Sequence, residues 1–325
     1  MSHPFEALPN TPLADELVDQ AFSRAARAGR AQTGIDAQQS MLLTASNVIS
    51  DNLENVVTGW PDFDALDPFY RDLADAIVDV DDLRQHLSEV GWASGKATDI
   101  RHEYEGRLYD NSVDAARKLR KQAFARLADV VREVGDDLEA VMDAREQLRD
   151  LPDIDPDEPT IVVAGYPNVG KSSFVNAVTR ASNEEASYPF TTTQIHVGHV
   201  THERIRYQLV DTPGLLDRPP AERNDIESQA VSALAHAADA VLVLLDPTGE
   251  CGYPVDVQRA LRDDIEAQFD VPVLSVYTMA DKLDDDTTVG EGEYLMSVTG
   301  DRNVQAVLEA AIDAVGYEPE LPIDE

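Results

Sequence analysis

Gly165-Tyr166-Pro167-Asn168-Val169-Gly170-Lys171-Ser172 is the stretch on which the reading of this 325-residue chain turns. It fits G-x-x-x-x-G-K-[ST], a loop that cradles phosphates, and its flanks suit that reading. Thr160 to Ala164 is a short apolar, β-branched run, expected as a buried strand. Beyond the loop, Ser172 to Arg180 places Phe174, Val175 and Val178 at helical spacing. Strand, glycine loop and helix in that order turn backbone N–H groups inward around phosphates and add the positive end of the helix. Gly165, Tyr166, Pro167, Asn168, Val169, Gly170 and Ser173 are then expected to line the cradle. Lys171 would reach the β- and γ-phosphates, and the Ser172 hydroxyl would bind Mg²⁺.

Downstream, strand and helix patterns alternate. Ile195 to His202 and Ile205 to Val210 read as adjacent strands, and Ala240 to Leu245 and Val271 to Tyr277 are continuous apolar runs of the kind buried parallel strands need. Glu222 to Ala237, Val255 to Phe269 and Asn303 to Val315 read as helices. This is the pattern of an α/β, doubly wound, mostly parallel sheet with its ligand at the carboxyl ends of the strands. Asp211-Thr212-Pro213-Gly214 falls at one such end. There Asp211 is expected to hold Mg²⁺ through water, and the Gly214 N–H to meet the γ-phosphate. Between the two motifs lies Tyr188-Pro189-Phe190-Thr191-Thr192-Thr193. Thr192, with Thr191 its nearest competitor, is expected to complete the Mg²⁺ shell and close on the γ-phosphate.

Base reading is expected just beyond the strand that ends at Tyr277, where an N/T-K-x-D motif would put an aspartate against guanine. Two registers compete: Asp281-Lys282-Leu283-Asp284 and Thr278-Met279-Ala280-Asp281. The second begins at the strand end and is preferred, with Asp281 as guanine reader and the Met279 thioether in place of a lysine stem. Ser297-Val298-Thr299, after an expected strand Tyr294 to Met296, fits the loop that backs the guanine carbonyl.

The first half reads differently. It carries helical stripes and no strand-like alternation, so residues 1–150 are expected to form an antiparallel helical bundle. Thr11-Pro12 and Asp67-Pro68 look like helix starts, and Gly135 like a kink in a helix from Ser112 to Asp150. The acidic, proline-rich run 151–159 marks a linker, which leaves 160–325 as the nucleotide domain. Two basic clusters stand out: Arg24, Arg27 and Arg30, and then Arg117, Lys118, Arg120, Lys121, Arg126 and Arg132. Side by side they would make a phosphate-binding surface for RNA; apart, they would be a solvated face paired with Asp and Glu.

Composition bounds the rest. With 62 acidic against 26 basic residues the formal net charge is −36, yet 43% of residues are apolar, which argues against disorder. Adaptation to molar salt explains both, since at ~1 M the Debye length falls to about 3 Å and self-repulsion is screened. The expected host is therefore a salt-loving archaeon. Cys251 is the only cysteine, no apolar run approaches the ~20 residues that span a bilayer, and Met1 to Glu6 lacks signal-peptide character. A cytoplasmic protein with no membrane or DNA partner is expected.

The motifs together resemble a known family. The acidic Leu-Pro linker into GYPNVGKSSF, then YPFTT, DTPGLLDRP and ERNDIESQAVSALAH, are similar to those of the nucleolar GTP-binding protein 1 family, within the wider Obg-related GTPases. The resemblance implies GTP and GDP with Mg²⁺ as ligands and GTP hydrolysis as the reaction. It further implies the precursor of the large ribosomal subunit, rRNA and ribosomal proteins, as partner, with the chain a monomer off the ribosome. Leu215 stands where many GTPases carry a water-orienting glutamine, so slow intrinsic turnover is expected. Asn168 resembles the asparagine that binds K⁺ in related GTPases; its alternative role is to cap the loop. Lys171, Thr192, Gly214 and Asn168 are the expected catalytic set. A placeholder with little turnover, or an Obg-like translation or stress GTPase, are the competing functions.

Overall fold

A computed structural model describes residues 3–179, 184–187, 194–284 and 288–317. Two compact units divide the chain. One comprises residues 5–65 and 78–149; the other comprises residues 1–4, 66–77 and 150–325.

The first unit is helical. It is built from α1 (Ala14–Gly29), α2 (Gly34–Thr58), α4 (Val80–Tyr109), α5 (Val113–Glu133) and α6 (Gly135–Arg149), with α3 (Pro68–Val78) intervening in sequence. Each helix buries one apolar stripe. Leu42, Ile49 and Leu53 of α2, Ala93, Ala97 and Ile100 of α4, and Ala123, Leu127 and Val131 of α5 are all almost fully enclosed. Ser46 donates to the Ala97 carbonyl at 2.8 Å and Ser94 to that of Ser50 at 3.0 Å, so α2 and α4 run antiparallel. Caps set several ends, with Asp79 accepting from the Asp82 N–H and Ser112 from that of Ala115.

The Thr11-Pro12 start is corrected: the helix begins at Ala14 without a side-chain cap, and Thr11 is buried. Tertiary burial there outweighs the local capping preference. At Gly135 the kink is a full break, since Val134 leaves the helical region (φ −100°, ψ 22°) and α6 starts afresh.

The second unit holds a seven-stranded sheet among the described residues, in the order β2-β3-β4-β1-β5-β6-β7. The strands are β1 (Thr160–Ala164), β2 (Glu184–Ser187), β3 (Gln194–His202), β4 (Ile205–Asp211), β5 (Ala240–Leu245), β6 (Val273–Tyr277) and β7 (Glu293–Leu295). β4, β1, β5, β6 and β7 pair in parallel, and β2 and β3 antiparallel at one edge. β1 and β5 are buried at every position, as their uninterrupted apolar runs require. The helices are α7 (Lys171–Val178), α8 (Asp225–Ala237), α9 (Val255–Gln268) and α10 (Val304–Val315). α8 starts three residues later than its sequence pattern suggests. The reason is a capping box: Asn224 accepts from the Glu227 N–H, while the Glu227 carboxylate accepts from that of Asn224.

α3 belongs with this unit. Its Tyr70 hydroxyl donates to the Ile154 carbonyl at 2.8 Å and accepts from the Ile154 N–H at 3.1 Å, and Asp72 meets His236 of α8 at 3.2 Å. The 151–159 segment is packed here too, through fully enclosed Ile154 and through Gln208 of β4, which donates to the carbonyls of Asp155 and Glu158.

Candidate nucleotide site

The site forms where the parallel strands end. At the end of β1 the chain turns through Gly165 at φ 128°, and a Cβ there would stand 2.4 Å from the Leu244 carbonyl oxygen of β5. Only glycine fits so close to the neighbouring strand. The Gly165 N–H donates to the Leu216 carbonyl at 3.0 Å, tying this loop to the segment after β4. Asn168 is exposed in the left-handed region (φ 65°), and Gly170 at φ 103° leads into α7. Tyr166 and Val169 are buried, while Pro167 is half-buried.

Lys171 is enclosed, and its ammonium donates to the carbonyl oxygens of Gly165 (2.7 Å) and Tyr166 (3.1 Å). Burial lowers its pKa, and the charges of Asp211 and Asp217 act against that shift. Ser172 and Ser173 lie exposed in the first turn of α7. The Ser172 hydroxyl donates to Asp211 Oδ2 at 2.5 Å. Asp211 is fully buried at the end of β4, and its Oδ1 has no hydrogen-bond partner among the described residues. Burial pushes this carboxyl up, while the Ser172 hydrogen bond and the Lys171 charge pull it back. A buried carboxylate with an orphan oxygen beside a serine hydroxyl offers hard oxygen donors, and these residues fit Mg²⁺.

After Asp211, Thr212 donates to the Val163 carbonyl at 3.1 Å, and Gly214 turns at φ 81°. The Gly214 N–H, expected to face a γ-phosphate, instead donates to Asp217 Oδ2 at 2.8 Å. In this conformation the chain supplies its own anion at that N–H. Leu215 and Leu216 are fully buried. Thr191 and Thr192 lie outside the described residues.

On the base side, β6 ends at Tyr277, and Thr278 donates to the Leu245 carbonyl from its N–H (2.8 Å) and its hydroxyl (3.2 Å). Met279 follows in the left-handed region, its sulfur 3.5 Å from the Thr248 hydroxyl. The Ser297 hydroxyl donates to the Asp281 carboxylate and holds that carboxyl below the usual range. Val298 is half-buried in the same loop, where the Gly300 N–H returns to Ser297 Oγ at 2.9 Å. Thus Thr278, Met279, Asp281, Ser297 and Val298 come together in the register that starts at the strand end. Asp284 lies exposed beyond it.

One part of the site escaped the sequence reading. Asp246, fully buried at the end of β5, accepts from the Thr248 N–H (2.8 Å), the Thr248 hydroxyl (2.6 Å) and the Cys251 N–H (2.7 Å). Burial raises its pKa, but these hydrogen bonds outweigh that and leave the carboxyl below its ordinary value. Gln258 of α9, also fully buried, accepts from the Asp246 N–H and donates to the carbonyls of Asp246 and Tyr253. The loop so fixed touches Met279 through Thr248, and Tyr253 stacks on Tyr166 at 4.1 Å between ring centres. It therefore links the Gly165–Lys171 loop and the Thr278–Asp281 loop. The available signal was a polar pair, Asp246 and Gln258, breaking two otherwise apolar patterns.

Comparison with known proteins agrees with this geometry. Residues 5–155 match the family described as NOG1 N-terminal helical domain, and residues 160–279 that described as 50S ribosome-binding GTPase. An uncharacterised protein of Methanocaldococcus jannaschii is 34% identical over 295 residues, 88% of this chain and 83% of that protein. Nucleolar GTP-binding protein 1 of Drosophila melanogaster is 34% identical over 269 residues, covering 82% of this chain. The chain belongs to the nucleolar GTP-binding protein 1 family. It spans about two fifths of the Drosophila relative (41%) and a third of the Arabidopsis thaliana one (32%). A crystal structure of a putative member from Plasmodium falciparum is 31% identical over 51% of this chain and 90% of that one, with a TM-score of 0.46. In this family member, a helical domain precedes a P-loop GTPase domain with a mostly parallel sheet. No helix among the described residues is long and apolar enough to cross a membrane.

Proposed function

We propose that this chain binds GTP and GDP with Mg²⁺ at the β1–α7 loop, hydrolyses GTP slowly, and acts as a switch in assembly of the large ribosomal subunit. The observation that carries the reading is the Ser172–Asp211 pair, with its orphan carboxylate oxygen, beside the buried Lys171 ammonium. Ser172 and, through water, Asp211 would hold the magnesium, with Thr192 completing its shell. When bound there, the ion would neutralise charge that develops on the transferred phosphoryl group. Lys171 exchanges its two carbonyl acceptors for phosphate oxygens. Asp281, aimed by Ser297, accepts from the N–H groups of guanine, with Met279 over the base. Leu215 is apolar and fully buried, so it offers the attacking water no hydrogen bond. Exposed Asn168 presents an amide that would hold K⁺ next to the phosphates.

The ribosomal part rests on the relatives' names and on one surface. Within the helical unit α1 and α5 are antiparallel: Arg132 meets Asp15 at 3.0 Å, and Phe22 stacks on Phe124 at 4.4 Å. That direction sets Arg27 and Arg30 level with Arg117, Lys118 and Lys121. Among the described residues Arg27, Arg30, Lys118 and Lys121 make no ion pair, in a chain where acidic residues outnumber basic ones 62 to 26. Unpaired cations gathered against that background fit an RNA phosphate backbone.

Buried Leu215 also favours a second reading, a nucleotide-dependent scaffold on the pre-ribosome with little turnover. Multiple-turnover GTP hydrolysis in molar KCl, with and without purified large subunits, separates the two. Stimulation by subunits supports the switch, and unchanged slow hydrolysis with tight binding supports the scaffold. Equal rates in NaCl and KCl at matched ionic strength would remove the K⁺ role. The acidic surface is read as adaptation to a cytoplasm of molar salt; a far-ultraviolet circular dichroism spectrum unchanged between 2 M and 0.1 M KCl would count against that.

A further inference from the structure

We infer that Asp217 sets the preference between GDP and GTP by occupying the N–H that a γ-phosphate needs. This deepens the nucleotide reading above and rests on it. The Asp217 Oδ2 atom accepts from the Gly214 N–H at 2.8 Å, so a carboxylate of this chain sits on the donor that senses the third phosphate. Its side chain is only 13% exposed, and its hydrogen bond is therefore little weakened by solvent.

The contact is built rather than incidental. Arg218 lies against Asp217 Oδ1 at 3.5 Å, donates to the Gly214 carbonyl at 3.0 Å, and approaches Glu227 at 3.8 Å. Arg223 donates to the Arg218 carbonyl at 3.1 Å. Glu227 is itself fixed by the capping box at the start of α8. The turn Gly214 to Arg218 is thus closed on itself and anchored to a helix end.

GDP carries no third phosphate and is compatible with this closed turn. GTP brings a second anion to the same donor, so the Asp217 carboxylate must leave before the Gly214 N–H can turn to the γ-phosphate. When it leaves, Arg218 loses a partner, and the disturbance is passed to Glu227 and α8. The closed turn lowers apparent GTP affinity by the fraction of time it is open, and leaves GDP affinity untouched.

The test uses the full chain in 2 M KCl with Mg²⁺, titrated with fluorescent GDP and a non-hydrolysable GTP analogue. Asp217→Ala is expected to raise affinity for the GTP analogue about tenfold, as for an open turn populated about one time in ten, with GDP affinity changed less than twofold. Asp217→Asn, which keeps the shape and removes the charge, is expected to give a smaller rise in the same direction. Hydrogen exchange on the nucleotide-free protein adds a second readout: the Gly214 amide should be protected in the wild type and exchange faster in Asp217→Ala. An unchanged ratio of the two affinities in both variants, an equal loss for both nucleotides, or unaltered Gly214 exchange would overturn the inference. Failure of the wild type to bind either nucleotide would overturn the nucleotide site itself, and the inference with it.

Discussion

The Lys171 ammonium is bonded to the carbonyl oxygen of Gly165, at 2.7 Å, within the loop that it is meant to serve. The lysine is thus held in place by the backbone of the loop proposed to wrap the phosphates. Binding exchanges neutral acceptors for charged ones, and a charge-assisted hydrogen bond contributes about 1.5–3 kcal/mol. Lys171→Ala should therefore weaken both GDP and the GTP analogue by about a hundredfold, read by fluorescence titration. The melting temperature should move by no more than a few degrees, because the ammonium's burial already costs much of what its two hydrogen bonds return.

Asp281, held by Ser297, should decide base selectivity. A carboxylate accepts from both the ring N–H and the amine of guanine, whereas an amide in its place presents a donor. Asp281→Asn should lose GTP affinity by at least tenfold and gain affinity for xanthosine triphosphate, whose carbonyl replaces the amine. Asp284→Asn should change neither. If Asp284→Asn lost guanine selectivity, the register beginning at Asp281 would be the working one.

The glycine loop between β1 and α7 was open to reading in the sequence for a physical reason. A loop that wraps phosphates needs glycine at Gly165 and Gly170 and a lysine at Lys171, so its residue types are dictated locally. Strands β1 and β5 were equally open to reading, being apolar at every position. What could not be read depends on tertiary partners. Nothing in Thr11-Pro12 says that the threonine is buried, and nothing in Leu66 to Ile77 says that this segment leaves the other helices to join the sheet unit. Nor does DTPGLLDRP reveal that Asp217 turns back onto Gly214, because a three-residue return is set by the backbone path and not by residue type.

Asp246 carries a pH signature. Its folded pKa is depressed, so its carboxylate stabilises the fold above the unfolded value of about 3.9, and that contribution fades as pH falls through the lower folded value. Asp246→Asn keeps the size but turns a donor toward the N–H groups of Thr248 or Cys251. A loss of about 2 kcal/mol is expected between pH 5 and 8, from the charged hydrogen bonds removed. Denaturant unfolding in molar KCl should show the gap between wild type and variant narrowing below about pH 4. A gap that widened there would contradict the assignment.

The cationic face of α1 and α5 can be separated from general charge effects by its salt dependence. Each phosphate contact releases counterions, so log K falls with log salt by about 0.7–0.9 per contact. Reversing Arg27, Arg30, Lys118 and Lys121 to Glu should weaken binding to purified large-subunit rRNA and flatten that slope by roughly two to four. A control that reverses Lys96 of α4 and Arg204 of the β3–β4 turn, neither of them on α1 or α5, also makes the chain more acidic and should leave the slope unchanged. Molar salt does not erase the difference, since it lowers affinity along a slope whose steepness is the quantity compared. If the two variants flattened the slope in proportion to charge alone, the face would be an ordinary solvated surface, and RNA contact would have to be sought elsewhere on the chain.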